Sequence, residues 1–146
     1  MPALQTPRKI KAASAMAIDA TARVSLEITA SQRGGREGSL LGAVDRTLTA
    51  AGGRLLAQRL SSPSREIAEI RARHERIAAL LDDTTTAGMV RDALRRVPDI
   101  ERALSRLSLD RGGPRDLAAI RAGLAAAEEL APALPETFAA LADDLT

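Results

Sequence analysis

The side chains that most often carry catalysis or metal binding are scarce in this chain. Its 146 residues contain no cysteine and a single histidine, His74. A tetrahedral zinc site takes about four nitrogen, sulfur or carboxylate ligands, and any Ser–His–Asp triad here must use His74 as its base. We interpret His74 as a half-buried residue on an apolar helix face. A helical enzyme that uses His74 remains an alternative hypothesis.

The chain lacks the residue patterns that are usual for nucleotide binding and for acid–base catalysis. The phosphate-binding P-loop needs a lysine after a glycine-rich turn, and no glycine precedes the only lysines, Lys9 and Lys11. Neighbouring carboxylates do not face each other on a helix, so the three adjacent pairs are interpreted as solvated surface. These pairs are Asp82-Asp83, Glu128-Glu129 and Asp143-Asp144. The sequence therefore predicts no catalytic residue, no metal site and no cofactor held by this chain.

Basic residues are numerous but nearly balanced, with 21 Lys and Arg against 19 Asp and Glu. Arg33 and Arg36 lie in a predicted glycine loop, Ser31 to Gly38, and are candidates for contact with nucleic-acid phosphates; solvated loop charges are the alternative. The densest basic run is predicted to be mostly ion-paired, because Asp92 and Asp99 lie within it. It comprises Arg91, Arg95, Arg96, Arg102, Arg106 and Arg111. An independent helical nucleic-acid-binding or protein-interaction module is therefore an alternative function.

The composition favours helices as the elements that position these residues. Hydrophobic residues make up 45% of the chain, and Phe138 is the single aromatic residue. Abundant Ala, Leu, Arg and Glu favour helix, whereas strands are enriched in β-branched and aromatic residues. A chain of this size is expected to bury roughly 68–70% of its unfolded surface, and no apolar run approaches the roughly 20 residues of a membrane span. We predict an all-α fold of six or seven helices joined by short loops.

In the first third of the chain, the sequence predicts an irregular N-terminal segment, the lead, followed by three helices. Residues 1–15 form the lead, because prolines at positions 2 and 7 discourage a helix, and residues 16–18 form an extended stretch. Asp19 is the predicted N-cap of a helix to about residue 29, although alternating apolar residues there leave a strand as the alternative. Ser39 and Thr49 are the predicted caps of helices ending near residues 45 and 61. Three leucines of the third helix are expected to face inward: Leu55, Leu56 and Leu60.

The strongest periodic signal follows Pro63, which is expected to end the third helix. Ser64 is the predicted N-cap of a helix of about 19 residues. Spacings of three and four residues place one row of side chains along a narrow seam of this helix. The seam consists of Ile67, Ile70, His74, Ile77 and Leu81. If it is left open, the seam should promote self-association.

The remaining helices are bounded by proline and glycine. Pro98 is predicted to lie in the first turn of one helix, where Asp99 and Glu101 complement the helix dipole. Gly112 and Gly113 end that helix, and Pro114 opens the next. A last helix begins at Pro135. The predicted inner faces, starting from the helix before Pro98, are Met89, Val90, Leu94 and Val97; Ile100, Leu104 and Leu107; Leu117, Ile120, Leu124 and Leu130; and Phe138, Leu141 and Leu145.

A set of short motifs, taken in order along residues 16–135, resembles one family closely. The later motifs resemble the pattern D-L-E-R, then S-R-L, then P-R-D-L, and the earlier ones form the block from Ser39 to Pro63. The family is that of the DNA mismatch-repair MutS proteins, and the similar part is its helical core, or lever, domain (domain III). We name the matching positions the signature residues: Asp19, Leu26, Glu27, Ser39, Leu40, Asp45, Gly52, Arg54, Leu55, Pro63, Glu101, Arg102, Arg106, Pro114, Arg115, Asp116 and Leu117.

The chain departs from the family pattern at three places. Residues 22–25 keep one arginine, Arg23, of a Thr-Arg-Arg-Asn-like run. Arg59 stands where a tryptophan is common, and His74 stands where an apolar or amide residue is usual. These departures concern local contacts rather than the fold, and a divergent paralogue remains an alternative parent.

The resemblance implies a part in a larger machine. Residues 1–15 would be a linker, and residues 16–146 the N-terminal part of the core domain. In the family, mismatch reading and ATP hydrolysis belong to other domains, so ATP, Mg²⁺ and DNA-dependent ATPase activity are expected only of the full-length protein. This segment would be a structural and allosteric link whose partners are the rest of its chain, DNA through the full-length protein, and a second subunit of a homodimer. The expected location is the bacterial cytoplasm at the nucleoid, away from membranes.

Overall fold

A computed structural model describes residues 14–139 and contains seven α-helices there. Two short 3-10 helices follow them, at Ala131–Ala133 and Glu136–Phe138. Within residues 14–139 the only extended pairing is an isolated antiparallel bridge between Ala15 and Ser64. The predicted all-α class and the helix number are confirmed. The helices are α1 (Ala20–Ser25), α2 (Leu40–Val44), α3 (Ala50–Ser61), α4 (Ile67–Asp82), α5 (Thr84–Arg96), α6 (Ile100–Ser108) and α7 (Pro114–Leu130).

The three predicted N-caps of the first helices are confirmed. Asp19 accepts a hydrogen bond from the Ala22 amide at 2.6 Å, and Ser39 and Thr49 accept equivalent bonds at 3.1 and 3.0 Å. Residues 20–25 form a helix and not the alternative strand. This helix ends about four residues earlier than predicted, because Glu27 adopts a φ of 48°, which a right-handed helix cannot accommodate.

The predicted start of α4 is wrong. Ser64 does not cap the helix: its hydroxyl accepts from the Glu66 amide at 3.2 Å and donates to the Glu69 carboxylate. The backbone around Ser64 instead pairs with the lead, since the Arg65 amide donates to the Ser14 carbonyl at 2.8 Å. The helix therefore begins at Ile67 and has 16 residues rather than about 19.

Two proline positions also differ from the prediction. Pro98 precedes the N-cap of α6, which is Asp99, and so lies outside the first turn. Pro135 opens a 3-10 helix of three residues, and the predicted apolar positions Leu141 and Leu145 lie outside the described residues. Pro114, by contrast, is the first residue of α7, as predicted.

The apolar core is smaller than the sequence suggests. Among the described residues, the buried hydrophobic side chains are Ile28, Leu41, Val90 and Ala103. Several positions predicted to face inward are largely exposed instead: Leu55, Ile67, Ile77, Leu81, Met89, Leu104, Leu117 and Leu124. His74 is also exposed rather than half-buried.

The exposure follows from how the helices pair. The main pairs are α2 with α3, α4 with α5, and α6 with α7; α5 also packs on α7, and α4 packs on the 3-10 helix Glu136–Phe138. A helix with a neighbour on one side buries one face only. The sequence periodicity therefore predicted the apolar faces of the helices correctly, but neighbouring elements within residues 14–139 do not cover all of these faces.

Candidate functional site

The signature residues meet at junctions between helices, of which the Arg54 junction is the most extensive. It consists of Arg54 on α3 with Asp99 and Glu101 at the start of α6. The Arg54 Nη2 and Nη1 atoms donate to the Asp99 carboxylate at 2.7 and 3.1 Å, and Nε donates to Glu101 Oε2 at 2.9 Å. This forked pairing joins residues 45 and 47 positions apart in the sequence.

Electrostatics favours the charged forms of Arg54 and Asp99 in this junction. Hydrogen bonds from Arg54 hold the pKa of the Asp99 carboxyl below its usual range, and the Arg102 amide adds to this effect. The Asp99 and Glu101 carboxylates in turn raise the pKa of Arg54. Asp99 thus both caps α6 and anchors α3. The sequence predicted its place at the helix terminus but not its arginine partner.

The Arg106 junction, formed by Arg106, Asp116 and Gly113, closes the hairpin between α6 and α7. Arg106 Nε lies 3.2 Å from Asp116 Oδ1, and the Gly113 amide donates to Asp116 Oδ2 at 2.9 Å. The bond from Gly113, followed by those from Arg106, lowers the pKa of the Asp116 carboxyl. Arg106 Nη2 also donates to the Arg111 carbonyl at 3.0 Å. The later family motifs therefore form a cap and a hairpin closure.

The earlier motifs meet where α1 turns toward α2. The Leu40 amide donates to the Glu27 carbonyl at 2.9 Å, and the Glu27 carboxylate accepts from the Gln32 amide at 2.7 Å. Ser39 is almost completely buried, and its hydroxyl donates to the Arg36 carbonyl at 2.6 Å. The backbone of Glu27 and the side chain of Ser39 thus hold both ends of the segment that contains the glycine loop.

The structure separates the roles of the two candidate DNA-binding arginines. Arg36 Nη2 lies 2.5 Å from Asp45 Oδ2, so Arg36 forms an ion pair within the chain. Asp45 also accepts from the Thr47 hydroxyl and amide, which chiefly lower its pKa. Arg33 is exposed, and it lines a surface concavity together with the carboxylates of Glu27 and Glu37. The two arginines do not form a shared positive surface.

The dense basic run is ion-paired in part. Arg95 pairs with Asp92, Arg96 lies 3.8 Å from Glu129, and Arg106 pairs with Asp116. No ion pair is found for the other three members among residues 14–139. These are Arg91, Arg102 and Arg111.

The remaining signature residues divide into backbone positions and exposed side chains. A Cβ at Gly52 would lie 3.0 Å from Thr49 Oγ1, and the Pro63 carbonyl accepts from the Met16 amide at 2.8 Å. Pro114 begins α7. The exposed signature side chains are Leu26, Leu40, Leu55, Arg102, Arg115 and Leu117. Their conformations leave these side chains available for contacts outside the described residues.

Sequence reasoning missed two structural residues. Arg23 Nη2 donates to the carbonyls of Ile18 and Ser61, each at 3.3 Å, and thereby ties α1 to the C-terminal end of α3. A Cβ at Gly42 would run into the Arg36 carbonyl oxygen. Both had a visible signal: Arg23 is the arginine retained from the family run, and Gly42 interrupts a short helix.

Other kinds of site have little support in this part of the molecule. Across residues 14–139, no group of three or more His, Cys, Asp or Glu side chains is arranged to hold a metal ion. None of the helices described is long and apolar enough to cross a membrane.

Comparison with known proteins relates this chain to one family. The model of the MutS domain III family matches residues 21–145. The DNA mismatch repair protein MutS of Dinoroseobacter shibae is 57% identical over 136 residues, which cover 93% of this chain and 16% of that protein. The proteins of the same name from Paracoccus denitrificans and Cereibacter sphaeroides are 50% and 55% identical, covering 100% and 92% of this chain but 17% and 15% of their own lengths.

The chain thus spans about a sixth of the length of the curated relatives it matches. The family match includes all seven helices except the first residue of α1. It also includes both arginine junctions. This chain belongs to the MutS domain III family.

Proposed function

We propose that this chain is a structural and allosteric segment of a DNA mismatch-repair ATPase, which links its DNA-contacting regions to its ATPase domain. The observation that carries the proposal is the Arg54 junction, which ties α3 to the start of α6 across more than 40 residues. The relatives are named DNA mismatch repair proteins.

A relay of movement needs helices that keep their relative positions. The guanidinium fork of Arg54 engages two carboxylates in fixed directions, so a shift of α3 acts on the N-terminal end of α6. The Arg106 junction passes the shift on to α7. Exposed ion pairs add little stability individually. The ion pairs of the two junctions instead fix the relative positions of the helices that they join.

The exposed apolar residues support the same proposal. The rest of the parent chain would cover surfaces such as Leu117 and Leu124 on α7, which are more than half exposed. The proposed partners are therefore the remaining domains of the parent chain and, through the assembled protein, DNA and a second subunit. We place this protein in the bacterial cytoplasm at the nucleoid.

ATP and Mg²⁺ would be held by other parts of the parent protein. No glycine-rich turn followed by lysine occurs among the 146 residues, so this chain lacks the residues that bind nucleotide phosphates in a P-loop. Its contribution to ATP hydrolysis would be to transmit movement from the DNA-contacting regions to the ATPase domain.

A chimeric protein tests the relay. This chain replaces the matching segment of the Dinoroseobacter shibae protein, and the chimera is expected to restore a low mutation rate in a strain that lacks its own MutS. Arg54→Ala should reduce the stimulation of ATP hydrolysis by mismatched DNA, while basal hydrolysis and DNA binding persist. Arg121→Ala on α7 is the control, because Arg121 is exposed and makes no ion pair within residues 14–139. Undiminished stimulation in Arg54→Ala would contradict the relay.

The isolated chain should be inactive in both reactions of its parent. We expect neither ATP hydrolysis nor a preference for a mismatched over a matched duplex, because the proposal assigns both to other domains. Fluorescence anisotropy with the two duplexes and a phosphate-release assay measure these properties. A clear mismatch preference would show that this segment reads DNA itself.

A further inference from the structure

A groove between α3 and α4 has an apolar lining that remains open to water. Its volume is about 330 Å³, and the 3-10 helix Glu136–Phe138 contributes Phe138 to its lining. The apolar side chains that line it are Leu55, Ile77, Leu80 and Phe138. Leu55 and Ile77 are 44% and 56% exposed. A partner that covered them would gain hydrophobic stabilisation.

The side chains lining the same groove carry a net positive charge. Three arginines line it: Arg59, Arg73 and Arg76. The carboxylate facing this cluster is Glu69, which Arg73 and the Ser64 hydroxyl already engage. Arg76 is partly satisfied by the Thr137 carbonyl, at 3.0 Å from Nε.

Arg59 has the most unused hydrogen-bonding capacity of these three arginines. Its side chain makes no hydrogen bond or ion pair within the described part of the chain. Partial burial lowers its pKa, as does repulsion from Arg73 and Arg76, while Glu69 acts in the opposite direction. An additional carboxylate at the groove would relieve this repulsion and occupy the free donors of Arg59.

We propose that this groove binds an acidic amphipathic segment supplied by the part of the parent chain outside these 146 residues. Apolar side chains of that segment would cover Leu55 and Ile77, and a carboxylate would pair with Arg59. The parent is the source because the relatives are about six times as long as this chain. The inference rests on the proposed function only in that the chain works within a longer protein.

The lining distinguishes a peptide from a nucleic-acid backbone. Phosphates would satisfy the arginines but leave Leu55, Ile77 and Leu80 without apolar contacts. An acidic amphipathic segment satisfies both parts of the groove at once. The apolar lining therefore favours a protein occupant over a nucleic-acid backbone.

Site-specific photo-crosslinking in the full-length chimera tests the proposal. A benzophenone amino acid replaces Ile77 in the groove or, as a control, Leu109 at the C-cap of α6, which is 63% exposed. From Ile77 we expect cross-links to an acidic, apolar-containing peptide of the same polypeptide, identified by mass spectrometry. Cross-links to a second subunit or to another protein would overturn the proposal, as would a yield from Ile77 no higher than background.

Charge substitutions test the role of Arg59. Arg59→Glu should lower the cross-link yield from Ile77 several-fold, whereas Arg121→Glu on α7 should leave it unchanged. Arg59→Gln removes the charge without reversing it, and it should also lower the yield if Arg59→Glu does not fold. An unchanged yield in the folded Arg59 variants would overturn the proposal.

The readouts separate the two proposals. A chimera that repairs mismatches without the cross-link contradicts the groove assignment alone. A chimera that forms the cross-link without repairing mismatches contradicts the proposed function alone.

Discussion

At the scale of single residues, the signature side chains and Asp99 act on the ends of helices and on one another. Asp99 accepts from an amide at the start of α6 and also pairs with Arg54. Asp116 accepts from the Gly113 amide and pairs with Arg106. The capping half of each role depends on residues three positions away and could be read from the sequence. The arginine of each pair comes from another element, so only the fold reveals it.

Two glycines in helices should respond to alanine in opposite ways. At Gly42 the added methyl group would meet the Arg36 carbonyl, a backbone atom that cannot turn aside. We expect Gly42→Ala to lower the free energy of unfolding by about 1–3 kcal/mol, the usual cost of overpacking. At Gly88 the space is open, and Gly88→Ala should raise that free energy by about 1 kcal/mol through helix propensity.

Urea denaturation of the two variants beside the unchanged chain measures both effects. Equal stabilisation by both substitutions would show that α2 does not pack against the Arg36 carbonyl as described.

At the scale of the elements, local signals set most helix boundaries. Asp19, Ser39, Thr49 and Pro114 all begin helices as predicted. The failure at α4 has a non-local cause, since backbone pairing between residues 14–16 and 63–65 holds Ser64 in an extended conformation. Rules that predict helix caps from the local sequence take no account of such a pairing. Helix starts were thus predictable wherever no distant strand-like contact competed.

The N-cap of α5 gives a prediction about pH. Hydrogen bonds from the Thr86 hydroxyl and amide lower the pKa of the Asp83 carboxyl in the folded chain. An unfolded aspartate titrates near about 3.9, so the bonded carboxylate stabilises the fold above that pH. This contribution is lost as the pH falls through the lower folded pKa. Acidification below about pH 4 should therefore destabilise the chain.

Asp83→Asn isolates this contribution. Asparagine caps helices about as well as aspartate, so stability at pH 7 should change little, while the loss on acidification should become smaller. Urea denaturation at a series of pH values between about 2 and 7 measures the difference. If the variant and the unchanged chain lose the same free energy of unfolding on acidification, Asp83 does not contribute to that loss.

At the scale of the whole molecule, helix periodicity identified apolar faces correctly but could not say what covers them. Periodicity is a property of one helix, whereas burial depends on its neighbours. The seam of α4 has the predicted spacing, yet Ile67, Ile77 and Leu81 are 66%, 56% and 72% exposed. In the proposed parent protein these faces would belong to interfaces. The sequence of one segment contains only one side of such an interface.

The open seam predicts how the isolated chain behaves at high concentration. Without its partner surfaces, the chain should self-associate through α4, because exposed apolar side chains at heptad spacing favour helix pairing. Sedimentation velocity over a range of concentrations should show a rising average mass. Ile67→Gln with Leu81→Gln should reduce the association, whereas Leu109→Gln, a similarly exposed leucine outside α4, should not. If the unchanged chain sediments as a monomer throughout, or if the seam variants associate as strongly as it does, then α4 is not the adhesive face of this segment.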